Sequence, residues 1–239
     1  MHSFSAEEES LKVVEDFLDA LTHALDSFGD KTPSDTLLSK YRFWSSKHLY
    51  CAADGFAFLR RSGHVKASKF LIRPAIELAF RLEAARKHPN VYYRMMFEEH
   101  HREKQLLQVA AERGEPNLMI ARSVEEKWRR FNDDFAKEFP GFPKVEKTLP
   151  IKYVAEKAEM KDIYNDHFRI YSQYTHGALA VSIGYRDEGT DRSDNQAMAA
   201  CSLIALDNLI SLGAVSPNHG DLAERILRLS PKEAGKGAR

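Results

Sequence analysis

The stretch Phe70-Leu71-Ile72-Arg73-Pro74-Ala75-Ile76-Glu77-Leu78-Ala79-Phe80-Arg81 decides the fold class. Apart from its charges it is apolar nearly all round, the pattern of a helix buried among other helices. The helix it belongs to is expected from about Val65 to Lys87, and His88-Pro89-Asn90 punctuates its end. Pro74 removes one backbone hydrogen bond, leaves the Phe70 carbonyl without a helical donor and predicts a kink. Arg73 and Glu77 are four residues apart, so they share a face and are placed to pair. Charges in an interior helix are costly unless paired. Two readings stay open: a structural ion pair beside a packing kink, or an anion-binding Arg73 oriented by Glu77.

Helical patterns continue on both sides. Ser5-Ala6-Glu7-Glu8 is a capping box, and Leu11, Val14, Leu18, Leu21, Leu25 and Phe28 follow at spacings of three and four before Gly29. A second helix, rich in aromatics, is expected from Pro33-Ser34-Asp35 to Arg61, with Gly63 closing it. A fourth runs from about Val91 to Arg113, and a fifth opens at Ser123-Val124-Glu125-Glu126. Pro140 to Pro150 is a loop. A short helix over 151–159, a long one from Asp162 to about Ile183, a loop from Asp187 to Ser193, an apolar helix over 195–213 and a short helix over 220–229 complete the chain. No period-2 run is long enough for a strand. The expectation is all-α: one helical bundle of seven to eight helices over residues 1–231, with a polar tail over 232–239.

Composition narrows the function. With 43% hydrophobic and 29% charged residues, the chain is neither disordered nor collagen-like. Lys and Arg (35) balance Asp and Glu (35), so no global field favours nucleic acid or an acidic membrane, although a local basic groove is allowed. Cys51 and Cys201 sit in apolar helical surroundings, as in a reduced protein. The acidic start lacks an apolar signal core. The run Ala197 to Val215 is broken by Ser202, Asp207, Asn208 and Ser211, short of the ~20 apolar residues that a membrane span needs. A cytoplasmic protein with no membrane partner is expected. The Leu11–Phe28 seam and the apolar 197–215 helix together suggest a homodimer.

A second constellation lies on the helix from Asp162. At 100° per residue Asp162, Asp166, Arg169, Gln173 and His176 fall within an arc of roughly 80°. His176 is a natural proton carrier, Ser172 one turn earlier is placed to bond its ring, and Arg169 is suited to hold a phosphate. The plain alternative is a packing histidine beside Gly177 and Ala178. Glu98 and His101 make a single Glu-x-x-His where di-iron bundles use two, so neither a metal nor a cofactor is expected. Phosphate-binding, dinucleotide-binding, Cys-x-x-Cys and Gly-x-Ser-x-Gly motifs do not occur.

The stretch from Lys47 to about Val109, with Arg73-x-x-x-Glu77, and the later Phe168-Arg169-Ile170-Tyr171-Ser172-Gln173-Tyr174-Thr175-His176-Gly177 resemble a group of prokaryotic helical proteins defined as a domain of unknown function. The likeness covers about residues 45–185. The later element is also similar to the Arg-x(4–6)-His motif of the HEPN (higher-eukaryote-and-prokaryote nucleotide-binding) superfamily, although Ile170 stands where a polar residue is usual. That resemblance implies an all-α, often dimeric, metal-independent ribonuclease of the kind found in toxins and phage defence. His176 and Arg169 would be catalytic, and Arg73, Glu77, Ser172 and Tyr171 would contact RNA or another phosphate-bearing ligand. The rivals are a regulatory or protein-interaction module with a structural Arg/Glu/His network, and a pocket for a small anion at Pro74.

Overall fold

The computed structural model describes residues 6–29, 35–114, 118–175, 188–216 and 219–229. It is all-α. Nine continuous helical segments occur among the described residues, against the seven to eight expected. They are α1 (Ala6–Asp26), α2 (Leu37–Arg61), α3 (Val65–Lys87), α4 (Pro89–Glu112), α5 (Leu118–Glu138) and α6 (Ile151–Lys157). The seventh, α7, runs through Lys161–Ile163, a π-helical turn at Tyr164–Phe168 and Arg169–Thr175; α8 is Glu188–Ser211 and α9 is His219–Leu229.

Two compact units emerge, one of residues 1–34, 42–79 and 162–239, the other of 35–41 and 80–161. The chain passes between them at 34–35, 41–42, 79–80 and 161–162, and the last three crossings fall inside α2, α3 and α7, so no linker composition marks them.

In the first unit α1 lies along α8, and α9 packs on both. Val13, Val14, Phe17, Leu21 and Ala24 of α1 are buried, as are Met198, Ala205, Leu206 and Leu209 of α8. The buried stripe of α1 is centred one position off the expected seam: Val14 and Leu21 belong to both, but Phe17 replaces Leu18. The two apolar faces that suggested a dimer therefore cover each other. Helix α2 ends as expected at Gly63 (φ 76°), where the Gly63 N–H donates to the Arg60 carbonyl and the His64 N–H to the Leu59 carbonyl. At Gly55 the side chain of Leu71 on α3 comes so close that an added Cβ would lie 3.3 Å from it, so α2 and α3 pack tightly there. Helix α3 continues through Pro74. Phe70 and Pro74 both lie on its exposed side.

The second unit is built on the antiparallel pair α4 and α5. Tyr92, Tyr93, Phe131 and Phe135 are buried between them, with ring centroids of Tyr93 and Phe135 4.9 Å apart. The Tyr93 hydroxyl donates to Asn132 Oδ1 at 2.8 Å. The start of α2 is capped at long range: the Glu138 carboxylate accepts from the Leu37 N–H (2.7 Å) and the Leu38 N–H (3.3 Å). Thr36 Oγ1 accepts from the Ser39 N–H, the ordinary N-cap bond.

Three boundaries differ from the expectations. Helix α5 starts at Leu118, so Ser123 is interior; Leu118 to Arg122 are good helix formers that carry the helix upstream of the capping box. Helix α8 begins at Glu188 where a loop was expected, and Asp194 and Asn195 in it are held by the buried bonds described below. Helix α2 begins at Leu37, where Thr36 supplies the cap. Ser5 and the expected tail lie outside the described residues.

Candidate functional site

One turn near the start of α8 gathers the polar interior of the first unit. Asp194 and Asn195 are both buried, although they open an otherwise apolar stretch. Asp194 Oδ2 accepts from the Arg60 guanidinium of α2 and from Lys69 Nζ of α3 at 2.9 Å; its Oδ1 accepts from the Tyr171 hydroxyl of α7 at 2.6 Å. Asn195 Nδ2 donates to Ser10 Oγ of α1 at 2.8 Å, and Glu7 places a carboxylate oxygen 3.7 Å from the Arg60 guanidinium. Four helices are thus tied to one turn of α8. The Arg60 guanidinium also lies over the Phe56 ring, 5.1 Å from its centroid.

The cluster is sealed. The side chains of Asp194 and Arg60 are each 2% exposed and that of Lys69 is 8% exposed. Two cations converge on one buried carboxylate, with Glu7 reaching in from a half-exposed position. No substrate reaches such a group without the helices parting, so its chemistry is positional: it fixes the mutual register of α1, α2, α3, α7 and α8.

Helix α7 shows two faces above this cluster. Phe168 and Tyr171 are buried, while Asp162, Asp166 and Arg169 are exposed, so the first three members of the polar stripe stay on the outside. Between them lies the π turn, closed by the Arg169 N–H bonding back to the Tyr164 carbonyl. Such turns are rare and frequent at functional sites. The imidazole of His167 stacks parallel to the Tyr171 ring, 6.4 Å away. Burial pushes its pKa below the usual histidine value, against the pull of the Asp166 and Asp194 carboxylates.

The expected site residues separate. Tyr171 joins the sealed cluster. Arg169 stands exposed on α7, with no ion pair among the described residues; Ser172 is partly buried. Arg73 and Glu77 are both partly buried, but the Arg73 guanidinium lies over the Phe168 ring, 5.5 Å from its centroid. An ion pair between Arg73 and Glu77 is not among those of the described residues. Arg73 Nε is buried without a hydrogen-bond partner there. His176 lies outside the described residues. Glu98 of the lone Glu-x-x-His is held by Arg102 (2.5 Å) and Arg81 (3.7 Å).

Sequence reasoning missed Arg60, Lys69 and Asp194. The signal for Lys69 was present: it precedes Arg73 by four residues, on the same face of the helix whose buried charge drew attention. Asp194 carried less, as one acid among several before an apolar run.

The model of a family of unknown function, DUF5677, matches residues 48–194, well over half of the chain. The chain belongs to this family. No curated protein and no solved structure matches it. The DUF5677 region begins inside α2 and ends on Asp194 itself, so it holds Arg60, Lys69, Arg73 and Tyr171 together with the carboxylate that three of them bond.

Proposed function

We propose that this DUF5677 protein handles a phosphodiester on the outer face of α7 and cleaves RNA without a metal, as a HEPN-like ribonuclease of the toxin or phage-defence kind. The observation that supports this reading is Arg169: an exposed cation with no ion pair among the described residues, directly after a π turn and two residues before a tyrosine locked into a buried carboxylate. A cation on so well anchored a helix is held ready for an anionic ligand at small entropic cost. Arg169 holds the scissile phosphate, with Arg73 as a second cation of the same unit. His176 takes the proton of the 2′-hydroxyl as its oxygen attacks phosphorus, or protonates the departing 5′-oxygen. Glu77 and Ser172 orient these groups.

The proposal includes a homodimer in the cytoplasm. With the α1 and α8 faces buried on each other, pairing would use another apolar patch, such as the end of α4 and the start of α5, where Leu106, Leu118, Met119 and Ile120 are exposed. Light scattering at micromolar concentration should give twice 27.3 kDa.

The test is single-turnover cleavage of a labelled RNA in chelator. His176→Ala and Arg169→Ala should keep the melting temperature and lose cleavage by roughly 10²–10⁴. A second reading, a non-enzymatic module whose charged network only sets helix register, is favoured by the sealing of Arg60, Lys69 and Asp194. It predicts no cleavage by the wild type and a lowered melting temperature for His176→Ala.

A further inference from the structure

We propose that the groove of the second unit between α4, α5 and the 143–150 segment binds an organic cation, a guanidinium or ammonium head, against the aromatic wall formed by Trp128 and Phe97. The groove has a volume of about 520 Å³ and is lined by Phe97, His100, Lys104, Glu125, Trp128 and Glu146 among others. It is independent of α7 and of the ribonuclease reading.

Four observations define it. First, His100 is 7% exposed, and its Nδ1 is buried without a hydrogen-bond partner among the described residues. The imidazole is therefore sealed behind the groove's wall, where it packs against Trp128 and offers no free nitrogen to an occupant. Second, His100 stacks flat on Trp128 (4.7 Å between centroids, 7° between planes), and Phe97 stands 5.9 Å from Trp128 at 57°. These rings give the groove a wall of π-electron density, which attracts cations. Third, the one lining cation is already engaged: Lys104 Nζ is 2.8 Å from the Glu125 carboxylate. Glu146, in contrast, has no ion pair among the described residues, so the lining keeps one uncompensated negative charge. Fourth, that charge is held in place. Arg94 bonds the carbonyls of Lys147 (2.9 Å) and Thr148 (3.0 Å), and Lys144 bonds that of Asn132 (2.8 Å), which fixes the segment on either side of Glu146.

The chemistry excludes the other simple occupants. An anion would meet Glu146, backed by a histidine kept neutral by burial. A bare metal ion would need several ligating groups, and no cluster of three His, Cys, Asp or Glu is present among the described residues. A planar organic cation suits the groups that face the groove: its charge faces Glu146 and the rings, and its N–H groups bond the side-chain carbonyl oxygens of Gln105 and Gln108. Such a head is offered by an arginine side chain of a peptide or by a polyamine.

Trp128 is the reporter. The chain has two tryptophans, so Trp44→Phe leaves Trp128 alone. This protein is titrated with N-acetyl-arginine amide, with spermidine and with adenosine 5′-monophosphate, following Trp128 emission. At least one of the two cations should give a saturable change, and the tighter one identifies a peptide or a polyamine as the source. Adding Glu146→Gln should weaken that binding by about tenfold or more without moving the melting temperature, since the side chain is exposed. The proposal is overturned if neither cation gives a saturable change, if Glu146→Gln binds as tightly as its parent, or if the nucleotide binds more tightly than both cations.

Discussion

Asp194→Asn is the sharpest perturbation of this fold. It keeps the shape of the side chain and an oxygen for the Tyr171 hydroxyl, but removes the buried charge on which Arg60 and Lys69 converge. All three side chains are less than a tenth exposed, so solvent screening does not soften the loss. Breaking a buried ion pair by removing one partner costs about 3–5 kcal/mol. For a chain of this length 1 kcal/mol moves the melting temperature by roughly 2–4 °C, which predicts a fall of roughly 6–20 °C. Lys69→Met is the matched control: it removes one of two cations and leaves Arg60 with its carboxylate, so about 1–2 kcal/mol is expected. Differential scanning calorimetry reads both. Where two transitions are seen, only that of the unit holding Asp194 should move. A loss under about 1 kcal/mol for Asp194→Asn, or an equal loss for Lys69→Met, would refute the account of two cations held by one carboxylate.

Burial lowers the pKa of both His167 and His100 below 6.5, so the folded state binds fewer protons than the unfolded one. Their contribution to stability is complete above that value and is lost as pH falls through the folded pKa; urea midpoints should decline from pH 7 toward 5, and less steeply in His167→Gln. Cys201 is buried, with its thiol pushed up to about 12, while Cys51 is exposed. A thiol reagent at neutral pH should therefore modify one cysteine of the native protein and both after denaturation. Glu138→Ala removes the acceptor for two N–H groups at the start of α2 and should cost about 1–2 kcal/mol by urea unfolding, with Glu138→Gln recovering part of it.

The all-α class was legible because helical period and punctuation agree along the chain: the 3–4 spacing after Ala6, Gly63, and His88-Pro89. Helix ends were less so. Thr36 and Glu138 cap one helix, and nothing in the sequence links residues a hundred positions apart. The candidate site shows the same limit. Charge inside α3 was readable, since any charge there stands out against apolar neighbours. Which charge would be sealed depends on where a partner carboxylate arrives in space. Lys69 met Asp194, and Arg73 met the ring of Phe168. Tyr171, singled out for a ligand, bonds the buried Asp194 carboxylate and anchors its helix.

That anchoring joins the two readings of α7. A buried carboxylate bonded by a tyrosine on one face and an exposed arginine on the other are two residues of helix apart, so whatever fixes Tyr171 also fixes the direction of Arg169. Tyr171→Phe separates positioning from catalysis. It leaves Asp194 with both cations and should cost only about 0.5–1.5 kcal/mol of stability. If α7 presents Arg169 to a phosphodiester, the same change should weaken RNA binding and shift KM more than kcat, because the lost bond holds the helix rather than touching the reacting atoms. An unchanged KM alongside a measurable loss of stability would assign the Tyr171–Asp194 bond to the fold alone.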